Sequence, residues 1–309
     1  MLRLVGVRLL AGIATLFAAS VLIFGTMEFL PGDIATAVLQ REASDEETLA
    51  ALREEYGLDR PVGVRYAEWL GGAVTLDFGR SVANNVSVND LIGTRLKNSL
   101  ILLFLALVLM FPLALFIGTY SALKQGSMID GGFQIFTLIL ASLPSFIVGI
   151  GFILLFAFFW ELLPAVSLEP TPRNLVLPAA TLVLGWMPLT ARMVRAGVLQ
   201  ALDSEYVQMA RLKGMPEAAV VRRHVLPNAL VPAIQAFALT AASIPAGIVI
   251  IEYLFAYPGI GEFLVQSVQT RDTVTVEAIT LILVAIYVVA NLLSDIATTM
   301  LTPRLRTSV

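Results

Sequence analysis

The sequence predicts an all-α integral membrane protein with six transmembrane helices, and three observations carry that prediction. Hydrophobic residues make up 58% of the 309 residues, only 14% are charged, and the mean hydropathy is +0.84. Soluble domains do not hide that much apolar surface, so lipid is the solvent for much of it. Uncharged runs long enough to cross a bilayer recur six times along the chain. Basic residues then fall on alternate connections, the pattern that sets membrane orientation. The chain has no cysteine, so disulfides, thiolate metal sites and cysteine nucleophiles are excluded. A net charge of −3 gives no reason to expect nucleic acid as a partner.

The first run, 9–27, follows Arg3 and Arg8 and ends past the small residues Ala18, Ala19 and Ser20. Those features resemble a cleaved signal peptide, but the run exceeds the ~7–15 residues of a signal-peptide core, so a retained helix is expected. The remaining runs are 98–123, 131–160, 174–191, 225–251 and 278–294. With the N-terminus in the cytoplasm, six spans return the C-terminus there. The inside then holds Arg3, Arg8, Lys124, Arg192, Arg195, Arg211, Lys213, Arg222, Arg223, Arg304 and Arg306, against Arg173 and Arg271 in the short outer loops. Arg95 and Lys97 sit awkwardly close to the second span under this topology.

The domain plan is a first helix (1–30), an extracytoplasmic helical loop region (31–97), a transmembrane core of five helices (98–303) and a short tail (304–309). In the loop region, Ser44 and Glu47 form a capping box, and Leu49, Leu52 and Tyr56 repeat on one helical face. A second helix is expected near Pro61, with Tyr66, Trp69 and Leu70 to bury. Within the spans, Pro112, Pro144, Pro178, Pro188 and Pro245 each remove a helix hydrogen bond and kink or interrupt a helix. Frozen packing kinks and moving helices both fit that pattern.

Residues 192–228 are polar and basic, set between two long apolar runs. Asp203 or Ser204 can cap a short helix with Glu205 in its first turn and Arg211 and Lys213 in its last. Gly214 suits the left-handed residue that ends it, and Pro216 suits the first position of a second helix. Such a knob reads as a handle for a soluble partner; an ordinary interhelical loop is the competing reading. The lone histidine, His224, falls here and reads as a packing or interface residue rather than a metal ligand.

These residues carry a resemblance. Ala210, Gly214, Leu226 and Pro227, with Glu205, Tyr206, Val207, Arg211, Lys213, His224, Asn228 and Ala229, resemble the loop of membrane subunits of ATP-binding-cassette (ABC) importers, dipeptide/oligopeptide branch. Gln208-Met209-Ala210 stands where that loop usually opens Glu-Ala-Ala. Leu30-Pro31-Gly32-Asp33, Tyr56 to Pro61, Leu76-Asp77-Phe78-Gly79, Ser142-Leu143-Pro144, Leu177-Pro178, and Glu252 with Phe255, Pro258, Gly259 and Gly261 are similar to further landmarks. Departures are Ile34 for a proline, Thr273-Val274 for an aromatic and proline, and Thr302 for an aspartate.

The resemblance implies a type I importer permease in a bacterial inner membrane, with a cytoplasmic coupling helix over 203–214. Its partners would be a second homologous permease, two ATPase subunits, an extracytoplasmic solute-binding protein and the lipid bilayer. ATP and magnesium would lie in the ATPase subunits and no cofactor in this chain. Asp203, Glu205, Tyr206, Ala210, Arg211, Lys213, Gly214 and His224 would couple to the ATPase. Asp33, Asp77, Glu252, Pro258, Gly259, Arg271 and Asp272 would form the outer gate or meet the binding protein. A gating or structural role is favoured for Glu252 over solute binding, while Asp295 lines a path or pairs locally.

Other function classes have weaker support. No phosphate-binding loop, H-E-x-x-H or G-x-S-x-G motif is present, so hydrolysis by this chain is not expected. A proton- or sodium-coupled carrier is the main rival, and it calls for several carboxylates buried within the spans. Peptides or peptide-like solutes are the expected cargo.

Overall fold

The computed structural model describes residues 2–29 and 59–301, all in helices and short connections. The expected capping box at Ser44 and Glu47, the Asp33 landmark and the tail from Thr302 onward lie outside the described residues.

The first helix, α1 (Leu2–Glu28), is continuous. α2 (Val62–Val74) starts directly after Pro61, whose fixed φ of −53° suits a helix entry. Tyr66 and Trp69 of α2 meet Phe24 of α1 with ring centroids 5.5 and 5.7 Å away, and Ser20 and Tyr66 share a 2.8 Å hydrogen bond. The expected apolar face of this helix therefore packs on the first span.

α3 (Val88–Leu123) carries the second span back through a polar N-terminal stretch. α4 (Met128–Ser142) and α5 (Ser145–Phe152, continued by a π-helical stretch Ile153–Phe159) together make the third. The sequence reading takes 131–160 as one span that Pro144 kinks or interrupts, and the structure shows an interruption. The two pieces are bent by 105° at Leu143 and Pro144. Proline has no N–H to continue the ladder, and it drives the preceding residue out of the helical region. Leu143 is accordingly extended, at φ −96° and ψ 133°. Among the described residues, five helices are long and apolar enough to cross a membrane, six when this bent pair counts as one span. The other interior prolines lie inside continuous helices: Pro112 in α3, Pro178 and Pro188 in α6 (Pro172–Leu202), and Pro232 and Pro245 in α9.

α7 (Glu205–Leu212) follows α6 after a single turn, and α8 (Glu217–Val220) then passes through a π-helical turn, Val221–Val225, into α9 (Leu226–Leu254). The second short helix of the knob is thus the leading end of the fifth span. α10 (Ile260–Gln269) and α11 (Thr273–Leu301) complete the chain.

Three apolar clusters hold these helices together. The central one joins Leu102, Met110 and Ala114 of α3 to Leu182 and Met187 of α6 and to Ile244 and Ile251 of α9. Lipid supplies no hydrophobic drive between spans, so close packing must do so. Gly118 of α3 shows it: a Cβ there would lie 2.5 Å from the Ala191 carbonyl of α6. A second cluster packs α6, α7 and α9 around Val194, Val198, Val207, Val220 and Val225. The third joins Val88 and Ile92 to Ile260, Phe263 and Ile279 at the opposite end.

Candidate functional site

The knob over 203–214 is built as a rigid extension of two spans. Val207 and Ala210 of α7 are buried in the second cluster, alongside Val198 and Ala201 of α6 and Val225 and Ala229 from the start of the fifth span. Ser204 occupies the helix N-cap, but its hydroxyl bonds back to the Ala201 carbonyl at 2.5 Å instead of capping α7. Gly214 closes the helix at φ +75°, donating to the Arg211 carbonyl at 2.9 Å, as its position in the sequence predicts. Pro216 lies one residue earlier than expected, at the N-cap of α8.

Of the residues expected to couple, Glu205, Tyr206, Lys213 and Asp203 are exposed, Ala210 is buried and His224 is half-buried. Arg211 is exposed but engaged. Its guanidinium holds Glu217 of α8 through both carboxylate oxygens, at 3.1 and 2.5 Å. That hydrogen-bonded carboxylate raises the Arg211 pKa above its ordinary value. The sequence reading missed Met209 and Leu212, which are 59% and 82% exposed on the outward face with Tyr206. Spacing of 206, 209 and 212 along a helix was the available signal. Together they form an apolar row on an otherwise polar helix end.

Beside the knob lies an ion-pair network that the sequence reading also missed. Arg195 of α6 binds Asp130 of α4 through Nε to Oδ1 at 2.7 Å and Nη2 to Oδ2 at 2.8 Å. Ser121 of α3 donates to Oδ1 at 2.7 Å, and the Gly126 N–H donates to Oδ2 at 3.1 Å. Asp130 is buried, so the network ties the α3–α4 turn to α6 where neither charge is free to hydrate. Asp295 resolves more simply: it pairs with Arg8 at 3.0 Å.

At the opposite end, Glu252 is fully buried at the close of α9. Its Oε2 accepts the Gly261 N–H at 2.7 Å and the Glu262 N–H at 3.4 Å, at the start of α10. Gly259 lies so close that a Cβ there would collide with the Glu252 carboxylate. Asn98 Nδ2 donates to the Pro258 carbonyl at 2.9 Å, and Tyr257 Oη donates to the Asn98 carbonyl at 2.8 Å. Glu252, Pro258 and Gly259 are therefore parts of one packed loop between α9, α10 and α3. Burial, and secondarily the nearby Glu252, pushes the Tyr257 pKa up to about 12.

Asp272 is turned inward, 2% exposed, and caps α11. It receives Ser81 Oγ at 2.5 Å, Thr275 Oγ1 at 2.7 Å, and the Val82 and Thr275 N–H groups at 3.1 and 3.3 Å. Asp272 thus holds the segment around Ser81 against α11 and is not itself exposed. Arg271 is exposed at φ +55°, and Asp77 is exposed with its carboxylate accepting the Gly79 N–H at 3.1 Å. Arg95, awkward in the sequence, pairs with Glu262 at 2.8 Å and lies 4.2 Å over the Phe263 ring. Gln266 Nε2 donates to the same carboxylate.

Comparison with known proteins fits this arrangement. Residues 111–307 match the family described as binding-protein-dependent transport system inner membrane component, and residues 1–103 match its N-terminal membrane component. The chain belongs to this family. It is 33% identical to a Brucella suis protein named as a peptide permease, over 99% of both chains. It is 32% identical to the oligopeptide transport system permease AppB of Bacillus subtilis, over 96% of this chain and 97% of that one. A Sinorhizobium fredii protein named as a peptide ABC transporter permease is 31% identical over 97% of each. A solved amino acid ABC transporter chain aligns at 20% identity and a TM-score of 0.49, over 71% of this chain and 94% of that one.

This binding-protein-dependent permease is a multi-pass inner-membrane subunit of an ABC importer, working with ATPase and binding-protein partners. The self-sufficient carrier has no support in its relatives. The buried carboxylates it would require do occur: Asp130 and Asp272 are held by guanidinium, hydroxyl and backbone partners, Glu252 accepts backbone N–H groups through Oε2, and Glu277 of α11 is also buried.

Proposed function

We propose that this permease forms half of the translocation path for peptides or peptide-like solutes, and that α7 receives the ATPase stroke. The exposed row Tyr206, Met209 and Leu212, on a helix whose other face is buried against α6 and α9, carries the reading. A rigid attachment to two spans lets a displacement of α7 become a rigid-body motion of the bundle. Asp203, Glu205 and Lys213 surround the row as a polar rim, while Ala210, Arg211, Gly214 and His224 hold its shape.

Under this reading α7 and both termini are cytoplasmic. A second homologous permease completes the path and two ATPase subunits grip the paired knobs. The loop 255–261, with Asp77, Arg271, and Asp272 behind Ser81, forms the outer gate and the landing surface for the binding protein. The groove of about 640 Å³ between α3, α9 and α11, lined by Leu103, Leu107, Phe237 and Ile286, is apolar. Solute contacts there are weak, which leaves selectivity to the binding protein. Relatives named for peptides support that solute class.

Gentle-detergent purification of the tagged chain, followed by an ATPase assay, tests the assignment. Recovery of ATPase and a second permease, lost in Leu212→Asp while the chain still reaches the membrane, is the expected result. A lone stable protein, or undiminished ATPase recovery in Leu212→Asp, overturns it.

A further inference from the structure

A basic pocket of about 580 Å³ opens beside the knob, between the end of α3 and the α8 turn. Lys124 and Arg222 line it, with Leu202 and Val221 as apolar wall and the Arg211–Glu217 pair at its edge. Glu217 is occupied by Arg211, and Asp203 also faces that guanidinium. Among the described residues, Lys124 and Arg222 have no ion-pair partner. The pocket therefore carries two uncompensated positive charges.

What the pocket opens onto decides its ligand. Leu109, Leu113, Phe116, Tyr120 and Leu123 are exposed along α3, at 48%, 38%, 70%, 45% and 42%. Their spacing of four, three, four and three residues is one helical face. Phe116 and Tyr120 stack with centroids 6.2 Å apart. This apolar row lies on a membrane span and runs straight into the pocket, where Tyr120 and Leu123 meet Lys124. A soluble anion has no use for such an approach; a lipid acyl chain does.

We propose that this pocket binds the phosphate headgroup of an anionic phospholipid, with its chains laid along the exposed face of α3. Lys124 and Arg222 hold the phosphate, and the Tyr120 ring sits at the headgroup level where aromatic side chains anchor membrane proteins. A basic pocket between spans at the cytoplasmic surface is the setting in which anionic headgroups are held. The site rests on the membrane orientation proposed above and does not depend on which solute is carried.

Native mass spectrometry of the delipidated, detergent-purified transporter tests it, with phosphatidylglycerol and phosphatidylcholine supplied in turn. Two cations at the surface give an expected preference for phosphatidylglycerol of about tenfold or more. Lys124→Ala with Arg222→Ala reduces that preference to about twofold or less, and Lys124→Arg retains it. Arg192→Ala, an exposed cation on α6 outside the pocket, leaves it unchanged. Equal binding of the two lipids overturns the proposal, as does an equal loss in Arg192→Ala. Displacement of the bound lipid by soluble glycerol phosphate would make this a free-anion site. A preference seen only after the ATPase subunits are stripped away would assign the pocket to a protein interface.

Discussion

Glu252 at the end of α9 accepts the Gly261 N–H at 2.7 Å, so the last turn of one span holds the first turn of the next helix. Between them Gly259 passes against the carboxylate with no room for a side chain. Gly259→Ala is expected to destabilise the protein by about 1–3 kcal/mol, the usual cost of overpacking. Removing the obstacle in Glu252→Ala costs a similar amount, about 1–3 kcal/mol, because two buried N–H groups lose their acceptor. The double variant should then cost clearly less than the sum, since each change removes what the other offends. Thermal unfolding in detergent reads all three, and strict additivity would show that the two residues do not act as one unit.

The Arg195–Asp130 pair predicts a different pattern. Asp130 is buried, so Arg195→Ala leaves a carboxylate without its partner and is expected to cost about 3–5 kcal/mol. Asp130→Asn with Arg195→Gln removes both charges and should recover much of that loss. Unfolding midpoints of the single and double variants decide it. Equal destabilisation in both would mean that packing, not charge pairing, fastens the α3–α4 turn to α6.

Tyr257 predicts an alkaline limit. Its pKa is about 12 in the fold against an ordinary 10.0, so the folded state keeps its proton where the unfolded chain releases it. Stability from this group is therefore complete below pH 10 and falls as pH rises from about 10 to 12. Tyr257→Phe should flatten that fall while costing about 1 kcal/mol at neutral pH for the lost bond to the Asn98 carbonyl. Unfolding midpoints of the two proteins between pH 8 and 11.5 check both effects.

The legible parts of this protein were those written in local spacing. Apolar runs placed the spans, and Gly214 after Arg211 and Lys213 placed the end of α7, because helix periodicity and left-handed glycine are local properties. The break at Pro144 was legible as a kink or interruption, but its 105° angle was not. Pro112, Pro178, Pro188 and Pro245 lie within helices that continue, and only neighbouring packing separates the two outcomes. Asp130 and Arg195 sit just outside the uncharged runs, 65 residues apart, and Arg95 and Glu262 are 167 apart. Pairing over such distances depends on how helices pack, which no single-sequence pattern records. The apolar row of α7 is harder to see in the sequence, because Met209 and Leu212 are flanked by Gln208, Arg211 and Lys213 and the row spans only two turns.

Gly214 gives the sharpest separation of folding from coupling. At φ +75° it occupies a conformation that side chains resist, yet nothing lies within 4 Å of where a Cβ would stand. Gly214→Ala therefore meets strain without collision, at about 1 kcal/mol, and should insert and assemble normally. Gly214→Pro cannot adopt that φ and loses the N–H that bonds the Arg211 carbonyl, so the end of α7 must rearrange. The buried face of α7, Val207 and Ala210, keeps its place in the cluster with α6 and α9, so the spans remain intact. Expected for Gly214→Pro is normal membrane abundance with transport lost by tenfold or more, because a displaced docking face misses geometry rather than affinity alone. Uptake assayed beside ATPase activity in reconstituted vesicles tells the cases apart. Full uptake in Gly214→Pro would remove α7 from the transmission route, whereas loss of the protein from the membrane would make the turn a folding element and not a coupling one.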